Sequence, residues 1–202
     1  MEAGEYARVP DADHGDVVRA GDGVVLRMSG NVAVTLRDVL ERLARLLRDG
    51  RLPEERRGWR LRRPATADEV LRRMFPNAYT DSAHADWFRQ RHLPALRAGA
   101  LAATERVLGR WGGAESAYLD LVEVDDWLMV LGLARFLFSA RAGGGRTAPG
   151  VGSAAGQAAL TTLWLNFLLE RFVLAVCPSL LVELGRVGTG GGGDRAAGVG
   201  VG

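Results

Sequence analysis

At 202 residues with 48% apolar side chains, the chain is long enough for one sizeable core and short for two domains. Its 26 basic residues are all arginine, against 24 acids and three histidines, for a formal net charge of +2. The absence of lysine excludes Schiff-base and lysine general-base chemistry, and a single thiol, Cys177, excludes an intrachain disulfide, a CxxC pair and a cysteine zinc site.

Residues 1–23 mix Gly, Asp and small side chains without period and read as a disordered leader. Glu2, Glu5, Asp11, Asp13 and Asp16 replace the basic-then-apolar pattern of a signal peptide, so the expected location is cytoplasmic. Val24 to Val34 suggests a short hairpin about Ser29-Gly30-Asn31. Thr35 with Asp38 resembles a capping box, and Leu36, Leu40, Leu43 and Leu47 recur at helical spacing until Asp49-Gly50 supplies a stop. Asp38 with Arg42, and Glu41 with Arg45, are expected as exposed pairs.

The run RLPEERRGWRLRR follows. Its Arg51, Arg56, Arg57, Arg60, Arg62 and Arg63, with Trp59 among them, face only Glu54 and Glu55. Two readings stay open: a solvated linker, or a basic contact that neutralises nucleic-acid phosphates or an acidic protein while the indole stacks. Thr66 to Glu69 is a second capping box, opening a short helix through Val70, Leu71, Met74 and Phe75 that Pro76 ends. Asp81 starts a helix containing Trp87 and Phe88. Pro94 suits the first turn of the next one, which predicts a break at His92-Leu93 and then an apolar face of Leu96, Ala100, Leu101, Thr104, Val107, Leu108 and Trp111.

Two strongly apolar helices come last, Glu123 to about Arg141 and Ala158 to Val176, separated by the Gly- and Pro-containing loop 142–157. Their composition predicts burial at the centre of a bundle. Ala158 to Val176 approaches membrane-spanning length, but Asn166, Glu170 and Arg171 favour a buried soluble helix over insertion. Residues 183–202 form a Gly-rich tail without the means to build a core. The expected fold is therefore all-α, an orthogonal or irregular bundle of about six helices over residues 24–182, with room for a short N-terminal β-hairpin.

The search for reaction chemistry returns no constellation. His84 and His92 are eight apart with no cysteine nearby, too sparse for zinc. Gly143-Gly144-Gly145-Arg146-Thr147 lacks phosphate-loop spacing and follows a helix, and no GxSxG elbow exists. Glu54-Glu55 and Asp125-Asp126 are explained by a linker and a helix start. The expectation is a non-enzymatic protein without metal, cofactor, small-molecule ligand or membrane, binding another macromolecule. Cys177 reads either as an inert core thiol or as an oxidisable or intermolecular one.

The segment RMFPNAYTDSAHADWFRQ resembles an actinobacterial family of unknown function, through Phe75, Pro76, Ala78, Tyr79, Asp81, Phe88 and Arg89. The similarity continues through Trp127, Arg135, Arg141, Trp164 and Glu170, over roughly residues 24–182. That family includes oxidative-stress transcriptional regulators of the AosR type. The resemblance implies regulation of transcription by contact with a sigma factor, polymerase or DNA, with redox response through cysteines; the alternative it implies is an accessory role beside the Clp protease adaptor. An intrachain disulfide switch needs two thiols and this chain has one. Gly132-Leu133 stands where the family tends to carry Asn-Asp.

Overall fold

The structure, a computed structural model, describes residues 15–52, 66–138 and 154–178. These residues are mostly helical, with five helices and a three-stranded antiparallel sheet, so the all-α expectation is corrected to helices packed with a small sheet. In chain order they form β1 (Gly15–Ala20), β2 (Gly23–Met28), α1 (Gly30–Asp49), α2 (Ala67–Met74), α3 (Ser82–Trp111), β3 (Ser116–Leu119), α4 (Leu121–Ala134) and α5 (Ala154–Val176).

The hairpin exists, but one strand earlier than expected. β1 lies inside the supposed leader and pairs with β2 in the register Ala20↔Gly23, Val18↔Val25 and Asp16↔Arg27. The two-residue turn is Gly21-Asp22, where Gly21 takes φ 60°, a left-handed value that glycine adopts without a steric penalty. β3 joins the other side of β2, Val24↔Leu119 through Arg27↔Ser116. The approach is close at Gly23, where a Cβ would sit 2.2 Å from the Leu119 carbonyl oxygen and 2.7 Å from the Tyr118 hydroxyl oxygen. The Tyr118 hydroxyl donates to Asp22 Oδ1 at 2.5 Å, pinning the turn to β3. Ser29-Gly30 is then free to start α1, with Ser29 as its extended N-cap residue.

Thr35 is interior to α1 rather than a cap, and its hydroxyl donates back to the Asn31 carbonyl at 2.8 Å. The leucine stripe behaves as its spacing predicts: Leu36, Leu40, Leu43 and Leu47 are buried, and Gly50 closes the helix in the left-handed conformation. Arg97 of α3 donates to the carbonyls of Leu47 and of Leu46, the latter also accepting the Gly50 N–H, joining the two helices at the negative end of α1. Asp38 and Arg42 pair at 2.9 Å, whereas Glu41 turns to Arg37 at 3.0 Å.

The capping box Thr66–Glu69 is present on both sides, and Asp81 caps α3. The break expected at His92-Leu93 does not occur, because α3 runs through Pro94 without interruption. Gln90 and Pro94 are both exposed, so water can take the carbonyl that proline leaves without a donor, and the buried half of α3 anchors the rest.

α4 starts at Leu121 with its own capping box, Asp120–Glu123. Arg106 forks onto Asp126 at 2.6 and 2.7 Å and Arg110 reaches Glu123 at 2.9 Å, so the acids at the start of α4 hold it to α3. α5 begins at Ala154, which shortens the expected 142–157 loop; residues 142–153, 1–14 and 183–202 lie outside the described residues.

The core has an aromatic centre. Trp127 stacks on Phe172 at 5.6 Å between centroids and meets Trp111 edge-on at 5.4 Å, all three nearly inaccessible to solvent. One expectation about burial fails. Among the described elements α5 packs chiefly on β1, α4 and β2, and buries Leu165, Leu168, Phe172 and Ala175 while leaving Leu160, Leu163 and Phe167 in solvent. It lies at the edge of the fold, not at its centre. By length and composition it is the one described helix apolar enough to cross a membrane. Within this fold it is tied to the sheet by Arg171, which donates twice to Asp16 Oδ1 at 2.5 and 3.0 Å.

Candidate interaction surface

The first half of α3 stands away from the core. From Ser82 to Gly99 only Ala85 is fully buried. On this arm and the turn before it, aromatic rings form a continuous row in which Tyr79, His84, Trp87 and His92 are exposed and Phe88 is half-buried. Tyr79 contacts His84 at 5.9 Å and Phe88 at 6.0 Å, Phe88 contacts His92 at 4.9 Å, and His92 contacts Trp87 at 5.8 Å. Tyr79 and Trp87 are 47% and 55% exposed, which for side chains of this size is the opposite of a core role.

Local chemistry fixes the row. Asp81 accepts the backbone N–H of His84 at 2.9 Å, as an N-cap should, and its carboxylate also meets the ring Nδ1 at 2.7 Å. These two bonds, the amide first, hold the Asp81 carboxyl below its ordinary 3.8. Arg89 Nη1 donates to Asn77 Oδ1 at 3.0 Å, folding the turn after α2 against α3. Phe75 caps α2 and packs partly on the core, while Pro76 and Ala78 are exposed. Around the row Arg72, Arg73 and Arg91 are exposed and make no ion pair with a described residue; Arg91 is one helical turn from Trp87.

The sequence motif residues divide between two places. Phe75, Pro76, Ala78, Tyr79, Asp81, Phe88 and Arg89 gather on this surface. Trp127 is at the centre of the core, and Arg135 closes α4, donating to the Gly132 carbonyl at 3.1 Å and reaching Asn166 of α5 at 3.4 Å. Because Arg135 takes a backbone carbonyl, glycine at 132 suffices for that bond. Trp164 is half-buried, with its indole Nε1 shielded and without a hydrogen-bond partner, and Glu170 is exposed.

Of the basic run, Arg51 is exposed just past α1, while Arg56, Arg57, Trp59, Arg60, Arg62 and Arg63 lie outside the described residues, as does Arg141. Cys177 is exposed immediately after α5, which removes the inert-core reading. His84, Trp87, Arg91 and His92 were not picked out as a site by sequence reasoning. The four-residue spacing of His84, Phe88 and His92, with Trp87 and Arg91 alongside, was the available signal. Among the described residues no group of three or more His, Cys, Asp and Glu side chains is gathered to hold a metal.

A family model matches residues 13–176, most of the chain. The chain belongs to the family described as a domain of unknown function, DUF2017. The DUF2017 match begins two residues before β1 and ends with α5, so the family unit includes the sheet and starts earlier than the expected residue 24. No curated protein and no solved structure is similar enough to count as a match.

Proposed function

We propose that this DUF2017 protein is a non-enzymatic, cytoplasmic regulator that acts by docking a protein of the transcription apparatus, a sigma factor or a polymerase subunit, on the aromatic row of α3. The observation that carries this reading is the half-exposed Tyr79 and Trp87, held in place by caps and ring contacts outside the core. Exposed aromatic and arginine side chains are the residue types that dominate binding energy at protein interfaces, and here both occur together on one arm. The biological class rests on the resemblance of residues 73–90 to a family that includes AosR-type oxidative-stress regulators.

The experiment is an affinity capture of the tagged full chain from its native cytoplasm, with and without peroxide and nuclease, read by mass spectrometry beside a Tyr79→Ala/Trp87→Ala variant. Polymerase or a sigma factor retained after nuclease, and lost in the variant, is the expected result. Capture that disappears with nuclease assigns the contact to DNA. Clp components without polymerase would move the protein to the proteolysis accessory class, and an unchanged variant would remove the aromatic row from the mechanism.

A further inference from the structure

Helix α5 carries a second surface, on the face opposite its buried one. Leu160, Leu163 and Phe167 are 45%, 64% and 44% exposed, and Leu174 is half-buried in line with them. With Glu170 they follow the alternating three- and four-residue spacing of a helix–helix seam: 160, 163, 167, 170, 174. No charged residue occurs between Ala158 and Leu169.

We propose that this face is the interface with a second copy of the same chain, two α5 helices pairing antiparallel across a two-fold axis. The proposal does not depend on the regulatory reading above.

Two observations select this occupant. A partner of another kind is usually chosen by charges, which steer encounter and penalise wrong docking, and this stretch offers none; homodimer interfaces are the more apolar class. The area is of the right order: with about 200 Å² for a fully exposed large side chain, the three residues offer roughly 300 Å² of apolar surface per copy. A standard interface takes about 800 Å² from each partner, somewhat more than half of it apolar, so these three residues supply about two thirds of that apolar share. The half-exposed Trp164 and Leu174 add to it.

Orientation follows from Glu170, which has no cation partner among the described residues. Parallel helices would set Glu170 against Glu170, whereas antiparallel ones separate the two carboxylates and place Leu163 of each copy against Phe167 of the other. A lipid bilayer is a poor occupant, because insertion would bury Glu170 and break both the Arg171–Asp16 pair and the Phe172–Trp127 stack.

Sedimentation velocity on the full chain over roughly 1–100 µM tests the proposal. The expected result is a species of twice the chain mass. Leu163→Glu should raise its dissociation constant at least about 100-fold, with the far-UV circular dichroism of the dilute protein unchanged. Val34→Glu, at an equally open apolar position on α1, should leave the dimer intact. Glu170→Gln should change the constant little; tightening by about tenfold or more at neutral pH would overturn the antiparallel arrangement. A monomer at every concentration, or a dimer indifferent to Leu163→Glu, overturns the proposal outright. In the monomer case, binding to anionic or neutral vesicles would identify lipid as the true occupant.

Discussion

Two aromatic clusters occur among the described residues and their ring geometries are nearly the same. Trp111, Trp127 and Phe172 meet at 5.4 and 5.6 Å; Tyr79, His84, Phe88, His92 and Trp87 meet at 4.9 to 6.0 Å. What separates them is water. The first three are shut away between α3, α4 and α5, so each ring exchanges its hydration for packing on every side. The outer rings touch one another while keeping much of their surface wet, and gain only the edge and stacking terms. Ring contact alone therefore says little about what a cluster is for, and exposure decides whether it stabilises the fold or offers binding energy to a partner.

The largest expected effect lies in the buried cluster. Trp127→Ala removes the ring shared by both pairs and should lower unfolding free energy by about 3–5 kcal/mol, read from the urea midpoint at unchanged m. A loss under about 1 kcal/mol would mean that α4 and α5 repack freely, and the contrast between the two clusters would collapse.

The next effect concerns what holds the outer row. Its geometry depends on the Asp81 cap, so Asp81→Ala should fray the start of α3 and loosen the row while leaving the core intact, seen as faster amide exchange from Ser82 to Phe88 with little change in global unfolding. In the wild type the sign of the pH response is set by the depressed Asp81 carboxyl. A carboxyl favoured as the anion in the folded state contributes fully above its unfolded value, and that contribution is lost as pH falls through the folded one. Exchange at the start of α3 should thus be flat from neutral pH down to about 4 and accelerate below it, after correction for intrinsic rates, and the step should be absent in Asp81→Ala.

The elements legible in the sequence are those whose signal is local. The leucine stripe of α1, the Thr66–Glu69 box and the Asp81 cap each need only a few consecutive residues, and each is where its pattern places it. β3 returns from far along the chain, so no window of sequence contains its pairing with β2; the β1–β2 pairing is local, across Gly21-Asp22, but the Gly and Asp residues around β1 give it the composition of a leader. The Pro94 rule is local too, but there the anchoring of Ala100 to Trp111 in the core outweighed a local penalty of about 3 kcal/mol. α5 failed for another reason: apolar composition around a helix says that it wants cover, not whether this chain supplies it. As for the candidate surface, its motif residues were visible as a motif. Their convergence on one arm, with the basic run giving way to Arg72, Arg73 and Arg91 as the described cations beside it, required the fold.

The smallest expected effect on stability is the most informative about function. Trp87 is more than half exposed, touches only His92 among the described rings, and shares a helical face with Arg91, which makes no ion pair with a described residue. Truncating such a side chain leaves no cavity and no orphaned polar group in the core, so Trp87→Ala should shift unfolding free energy by no more than about 0.5 kcal/mol. If the outer row binds a partner, the same change should cost that partner at least about tenfold in affinity, since an exposed indole beside an arginine is a typical anchor. The two measurements together separate the possibilities that ring geometry leaves joined. A stable variant with weakened capture makes the row an interface. A variant destabilised by more than about 1.5 kcal/mol would show that Trp87 stabilises the arm itself, and the binding role would then have to rest on Tyr79 and the arginines alone.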